Sequence, residues 1–197
     1  MRTRVAVAAL LVILAAPAGA QSPSASSGRE GGARVLQLSP DGFSLAQVDN
    51  HVIHIWDVAH GKERSKVKSG DAPIDAIMFS PDSSVLLAIS STTVRLWDAA
   101  TGAERPDLGS GRHASAAAFS PDGGQMALTH GASTSVWELA ARREAIILRD
   151  PQGIEATSVI FSLDGQTLIV GGADKSVRLW DYKTGRLTQV LGGNRGF

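Results

Sequence analysis

Several groups of residues in this chain have types and spacings that could support chemistry. The stretch HVIH places His51 and His54 three residues apart, and imidazole is the commonest metal-ligating side chain. The stretch reads as a strand, however, where positions i and i+3 point to opposite faces. Shared ligation is therefore not expected. Asp41, Asp82, Asp122 and Asp164 offer four carboxylates, but catalytic carboxylates must converge on one point. These four recur far apart in the same local setting, so they are expected to form turns. The tryptophans Trp56, Trp97, Trp137 and Trp180 could form a sugar platform, yet their regular register assigns them to the core. Glycine pairs at Gly31, Gly123, Gly171 and Gly192 open no helix, so they make no phosphate cradle. Arg142 and Arg143, beside Glu144, are too small a basic spot for a nucleic-acid footprint. The absence of cysteine excludes disulfides, thiolate catalysis and Cys-ligated zinc. No catalytic residue, metal site or cofactor is expected.

What must position these residues is a repeat. The corner sequences LSPDG, FSPDS, FSPDG and FSLDG begin their Ser-x-Asp cores at Ser39, Ser80, Ser120 and Ser162, at intervals of 41, 40 and 42. The tryptophans follow at intervals of 41, 40 and 43. Two markers sharing one period identify an internal repeat, which takes precedence over local assignment.

Each unit reads as four short strands. In the fourth, TSVIF, QTLIVG, SVRLWD and RLTQVL are strands, separated by the turns SLDG, GADK and YKTG. The corner chemistry fits a hairpin turn: Pro presets φ, Asp favours the bend and Gly closes it. Alternation in the third strand of the second unit sets Val94 and Leu96 on one face and Arg95 and Trp97 on the other. A strand with bulky residues on both faces is packed from both sides. An arginine there contributes its aliphatic stem while its head reaches a polar partner. Units that cover one another's faces must stack.

The chain has 197 residues, and its 19 basic and 19 acidic residues cancel, so no basic field draws in nucleic acid. MRTR, the apolar run VAVAALLVILAAP and AGA before Gln21 predict a secretory signal peptide over 1–20. The apolar run is about 12 to 13 residues, short against the roughly 20 that span a bilayer. No stable membrane insertion is expected after cleavage. The Ser/Gly-rich stretch 21–33 reads as a flexible linker. Export without cysteine leaves packing alone to hold the fold.

The stretches IHIWD (Ile53 to Asp57), TVRLWD (Thr93 to Asp98) and SVRLWD (Ser176 to Asp181), with the SPDG corners, resemble WD40 repeats. The resemblance covers roughly residues 33 to 192. It implies an all-β fold, a β-propeller of four-stranded WD40-type blades, with four blades present as a partial propeller. The units are expected at about 34–70, 73–110, 114–150 and 154–192, and 193–197 looks like the start of a fifth. Asp57, Asp98 and Asp181 match the family's WD aspartate, while Glu138 replaces it in the third unit. Asp174 fits the family's aspartate before strand three, Asp49 roughly so, and the family's His–Ser–Asp–Trp network is expected to be incomplete.

The resemblance implies a non-catalytic protein-interaction scaffold whose partners are other proteins. Position alone marks the loops Asp49, Asn50, Ser91, Thr92, Asp174 and Lys175, and Arg112, His113, Arg149 and Asp150, as partner-binding. The chain is expected to be exported, periplasmic or secreted, and bacterial. Open flanks raise the expectation of a truncated reading frame or of a homodimer that closes the ring. Alternatives are a TolB-like periplasmic propeller, the sensor part of a longer exported protein, or a propeller hydrolase or lyase. A TolB-like protein shares the SPDG corners but usually lacks the RLWD strands.

Overall fold

The computed structural model describes residues 35–90, 93–106 and 114–192. The expected signal peptide and linker, Ser91, Thr92, Arg112, His113 and residues 193–197 lie outside the described residues. Among the described residues every regular element is a strand.

Four antiparallel sheets follow one another along the chain, each built in sequence order. Blade 1 holds β1 (Val35–Leu38), β2 (Ser44–Asp49), β3 (Val52–Asp57) and β4 (Lys62–Lys68). Blade 2 holds β5 (Ile74–Phe79), β6 (Val85–Ser90) and β7 (Val94–Asp98). Blade 3 holds β8 (Ala116–Phe119), β9 (Gln125–His130), β10 (Ser133–Glu138) and β11 (Arg143–Arg149). Blade 4 holds β12 (Ala156–Phe161), β13 (Thr167–Gly172), β14 (Val177–Asp181) and β15 (Arg186–Leu191). The all-β reading with four blade-like sheets is what the structure has. Blade 2 differs in detail: a single bridge, Trp97 to Glu104, stands in its fourth-strand position. Residues 107–113, just beyond it, lie outside the described residues.

Register explains why the sheets stack. Leu86 pairs with Trp97 and Leu87 with Leu96, so adjacent residues of β6 face opposite ways. Leu86, Ala88 and Trp97 join Ile53, Ile55 and Val48 in a core between blades 1 and 2. Leu87, Ile89, Val94 and Leu96 join Met126, Leu128 and Trp137 in a core between blades 2 and 3. A third core sets Ala127 and Val136 against Val159, Leu168 and Trp180, between blades 3 and 4. Every residue of β6 is buried. In β2 and β14 burial alternates instead, because blades 1 and 4 are each covered on one face only. Both faces of a middle strand lose water, and each aliphatic side chain so buried contributes about 1.5–3 kcal/mol. That burial takes the place of the disulfides the sequence lacks.

Candidate functional site

Antiparallel order fixes what each end of the stack presents. The first-to-second and third-to-fourth strand turns share one end. The second-to-third turns share the other with the connections between blades. The two ends are built differently.

At the corner end, serine organises each SPD-type turn. Ser80 Oγ donates to Asp82 Oδ1 at 2.5 Å and accepts from the Val85 amide at 2.9 Å. Asp82 Oδ1 in turn accepts from the Ser84 amide at 3.1 Å. Ser39–Asp41, Ser120–Asp122 and Ser162–Asp164 repeat the arrangement, each at 2.5 Å. Ser39, Ser80 and Ser120 are buried. The sequence reading assigned roles to Pro, Asp and Gly here and missed the serine, whose signal was its invariance across the four corners. The Asp41 amide donates to Ser83 Oγ at 3.1 Å, linking neighbouring corners. Tyr182 Oη lies 2.8 Å from Gln125 Oε1 and 2.9 Å from the Gly165 carbonyl, tying blade 4 to blade 3.

The WD aspartates cap the adjoining third-to-fourth turns. Asp57 Oδ1 accepts from the His60 amide at 3.0 Å, and Asp98 Oδ1 from the Thr101 amide at 3.0 Å. Asp181 Oδ1 accepts from the Lys183 and Thr184 amides at 3.1 and 3.2 Å. Glu138, one methylene longer, pairs across the strands with Arg143 at 2.7 Å.

Each corner carboxylate accepts at Oδ1 from the serine hydroxyl and from a backbone amide two residues on. The serine hydroxyl, and then backbone amides, hold Asp82, Asp122 and Asp164 below the ordinary carboxylate range despite some opposing burial. A depressed native value contributes stability above the unfolded-state pKa and loses it as pH falls through the folded one. Thermal stability is therefore expected to drop on acidification below about pH 4, the ordinary aspartate value. The Asp122→Asn variant should show a shallower drop when melting is followed by circular dichroism across that range. An unchanged slope would remove the corners from the account of acid stability.

The opposite end gathers the turns and connections marked from sequence position. Asp49 and Asn50 are exposed, as are Arg149, Asp174 and Lys175. Asn50 and Lys175 turn the chain with φ of 53° and 67°, a left-handed conformation that side chains seldom adopt. The turns are fastened to the inter-blade connections. The Ser69 amide donates to the His51 carbonyl at 3.1 Å, and the Asp150 amide to the Ala132 carbonyl at 2.9 Å. The Ala156 amide donates to the Gly131 carbonyl at 2.7 Å, and the Ala173 amide to the Glu155 carbonyl at 2.9 Å.

A charged cluster sits under this end between blades 3 and 4. Arg178 is 3% exposed. Its Nε pairs with Asp150 Oδ2 and its Nη2 with Asp174 Oδ2 at 3.1 Å. Its Nη1 meets Ser176 Oγ, which donates to Asp174 Oδ1 at 2.6 Å. Arg178 and then Ser176 hold the Asp174 carboxyl far below the usual range. Asp174 in return, ahead of Asp150, raises the Arg178 pKa. Asp150 Oδ1 also accepts from the Gln152 and Ile154 amides at 2.8 and 3.1 Å, ordering the connection. Asp150 and Asp174 are thus brought together by one arginine, and they brace the loops from beneath. Asp49 and Asn50 belong to blade 1 and take no part in this cluster.

The histidine pair does not converge. His51 lies in the β2–β3 turn, whereas His54 stacks on Trp56 with ring centroids 6.5 Å apart and meets Glu63 Oε2 at 3.1 Å. Among the described residues no group of three or more His, Cys, Asp or Glu is placed to hold a metal ion. Among these residues there is no helix long and apolar enough to cross a membrane. Trp97, Trp137 and Trp180 lie in the cores between blades, and Trp56 lies half-buried on the uncovered face of blade 1.

Comparison with known proteins agrees with this architecture. The family model described as WD domain, G-beta repeat matches residues 62–98 and 147–181. The first match starts at Lys62, where β4 begins, and the second starts within β11; they end with β7 and β14. Each matched unit therefore joins the fourth strand of one blade to the first three of the next. The chain is also 32% identical over 75 residues to small ribosomal subunit protein RACK1 from Drosophila melanogaster. That alignment takes in 34% of this chain and 23% of the relative.

Proposed function

We propose that this chain is an exported, non-catalytic scaffold that binds other proteins through the loop end of its blades. One observation carries the reading: stacked sheets of equal register bring the second-to-third turns and the inter-blade connections to a single end. Among the described residues these segments are fastened by backbone hydrogen bonds, and Asp49, Asn50, Arg149 and Lys175 are exposed there. Rigid scaffolds with binding residues on surface loops are a general arrangement. The WD40 matches and the RACK1 likeness support a protein-binding role, and the carboxylates of the corner end are committed to holding turns. Export rests on the first twenty residues, whose cleavage should leave Gln21 as the mature N-terminus.

The test is affinity capture from the native source, comparing the unaltered chain with the Arg149→Glu/Lys175→Glu variant. Both residues are exposed and lie outside the buried cores, so the fold should survive and captured partners should fall at least tenfold. An Arg112→Glu/His113→Glu variant probes the connection between blades 2 and 3 in the same way. Capture unchanged by both variants would move the binding surface elsewhere.

A further inference from the structure

The junctions between blades 1 and 2 and between blades 3 and 4 are built alike at the loop end. In each, the residue after the fourth strand donates its amide to the preceding turn: Ser69 to the His51 carbonyl, Asp150 to the Ala132 carbonyl. In each, the third strand of the following blade carries an arginine, Arg95 paired with Ala88 and Arg178 paired with Val170. Ser69 therefore stands where Asp150 stands, and Arg95 where Arg178 stands. The connection between blades 2 and 3 lies partly outside the described residues.

At the blade 3–4 junction one carboxylate joins these parts. Asp150 takes Arg178 Nε on Oδ2, and the amides of Gln152 and Ile154 on Oδ1 at 2.8 and 3.1 Å. At the blade 1–2 junction the donors are present without the carboxylate. Arg95 lies by the connection: a Cβ on Gly70 would stand 3.9 Å from Arg95 Nη2. Arg95 Nη1 pairs with Glu104 at 2.8 Å, and Nη2 meets no acceptor among the described residues. The Arg95 side chain is 37% exposed, against 4% for Arg178. The amides of Gly70, Asp71 and Ala72 also donate to no acceptor among the described residues, and Gly70 and Asp71 are exposed. The Ser69 hydroxyl and His51 Nδ1 are buried and likewise without a partner, a state that costs free energy until a partner is gained. Asp71 follows Ser69 as Gln152 follows Asp150, and it makes no ion pair with Arg95. The turn before Arg95, SSTT, has no acidic residue, where blade 4 has Asp174.

We propose that the blade 1–2 junction is a carboxylate-binding site. An acidic side chain of a partner protein pairs there with Arg95 and the amides of Gly70 and Asp71, as Asp150 pairs with Arg178 and the amides of its own connection. This rests on the protein-binding reading of the loop end and names the chemistry of what binds there. A guanidinium offers several donors, so a carboxylate can seat on Nη2 while Glu104 keeps Nη1. A serine hydroxyl rotates to suit its partner, so Ser69 can join the contact. Exposed Lys68, the residue before Ser69, adds a second cation beside the junction. An exposed ion pair alone is worth little, and charge-assisted hydrogen bonds from the backbone amides supply the rest.

Isothermal titration calorimetry of the whole chain with hexaglutamate tests this, at about 50 mM salt, where screening is modest. The peptide is acetylated and amidated at its ends, so only side-chain carboxylates are charged. Hexaglutamate should bind saturably and hexaglutamine should not. Arg95→Gln should weaken binding at least tenfold. Ser69→Asp should do the same, because it supplies the carboxylate from within, and it should raise the melting temperature by roughly 2–4 °C. Simple repulsion of the peptide would not raise it. Leu163→Asp adds the same charge at an 82% exposed corner residue and should change neither reading. Should Arg95→Gln fail to fold, Ser69→Asp still decides. Binding indifferent to both variants, or no binding at about 1 mM peptide, overturns the site. Binding blocked by Ser69→Asp without a gain in melting temperature overturns the likeness to Asp150. A titration that behaves as expected while capture is unchanged by Arg149→Glu/Lys175→Glu supports this site and moves only the wider surface. Capture that falls while hexaglutamate fails to bind overturns this site alone.

Discussion

Replacing Trp97 with alanine is expected to remove about 3–5 kcal/mol of folding stability, the usual range for deleting a large buried aromatic. Trp97 is 2% exposed and lies in the core between blades 1 and 2, where Ile53, Ile55, Leu86 and Phe79 surround it. Two effects add. The indole loses its transfer from water, and the space it leaves cannot collapse, because the strands on both sides are held by ladder hydrogen bonds. The same indole also bridges two sheets, so its loss weakens the coupling between blades as well as one blade. Urea unfolding followed by far-ultraviolet circular dichroism measures it. A loss under 1 kcal/mol would mean that the blades do not depend on each other's cover.

The second large effect is expected at Arg178. Arg178→Ala should cost about 3–5 kcal/mol, the range for breaking a buried ion pair from one side. The cost comes less from the lost attraction than from what remains. The Asp150 side chain is 5% exposed, and without the guanidinium its Oδ2 is a buried charge with no counter-charge. Asp174 is 34% exposed, so water can replace much of its share, and Asp174→Asn should cost clearly less. Arg178→Lys should rescue little, since one ammonium cannot reproduce the guanidinium fork that reaches both carboxylates. The Arg178→Ala/Asp150→Asn double variant should be more stable than the sum of its single variants predicts, because the stranded charge is gone. Strict additivity would show that the two residues do not form one unit.

Much of this architecture was legible in the sequence because it is periodic. The corner and tryptophan markers located the sheets, and the alternation in TVRLWD placed Val94 and Leu96 on the face opposite Trp97. Such features depend on local spacing, which a linear sequence states directly. Contacts that cross between repeats were not legible. The partnership of Arg178 with Asp150 spans two blades, and Tyr182 reaches Gln125 from one blade to the next; neither has a spacing rule. The fourth strand of blade 2 was expected by analogy with its neighbours, yet a lone bridge to Glu104 stands there. The residues that would continue it, 107–113, lie outside the described residues. The loop residues were marked by position only. For Asp150 and Asp174 the structure gives a bracing role that position could not reveal, and Ser91, Thr92, Arg112 and His113 lie outside the described residues.

The claim on which the account depends most is that each blade is covered by its predecessor on the tryptophan face. Four single variants test it most directly: Trp56→Ala, Trp97→Ala, Trp137→Ala and Trp180→Ala, each unfolded by urea at a concentration low enough to keep chains apart. Trp97, Trp137 and Trp180 are 2%, 8% and 5% exposed beneath a preceding blade, and Trp56 is half-buried with none before it. The prediction is three large losses of similar size and one much smaller loss at Trp56. Equal losses at all four positions would contradict the stacking, because each tryptophan would then be buried within its own sheet and the blades would stand alone.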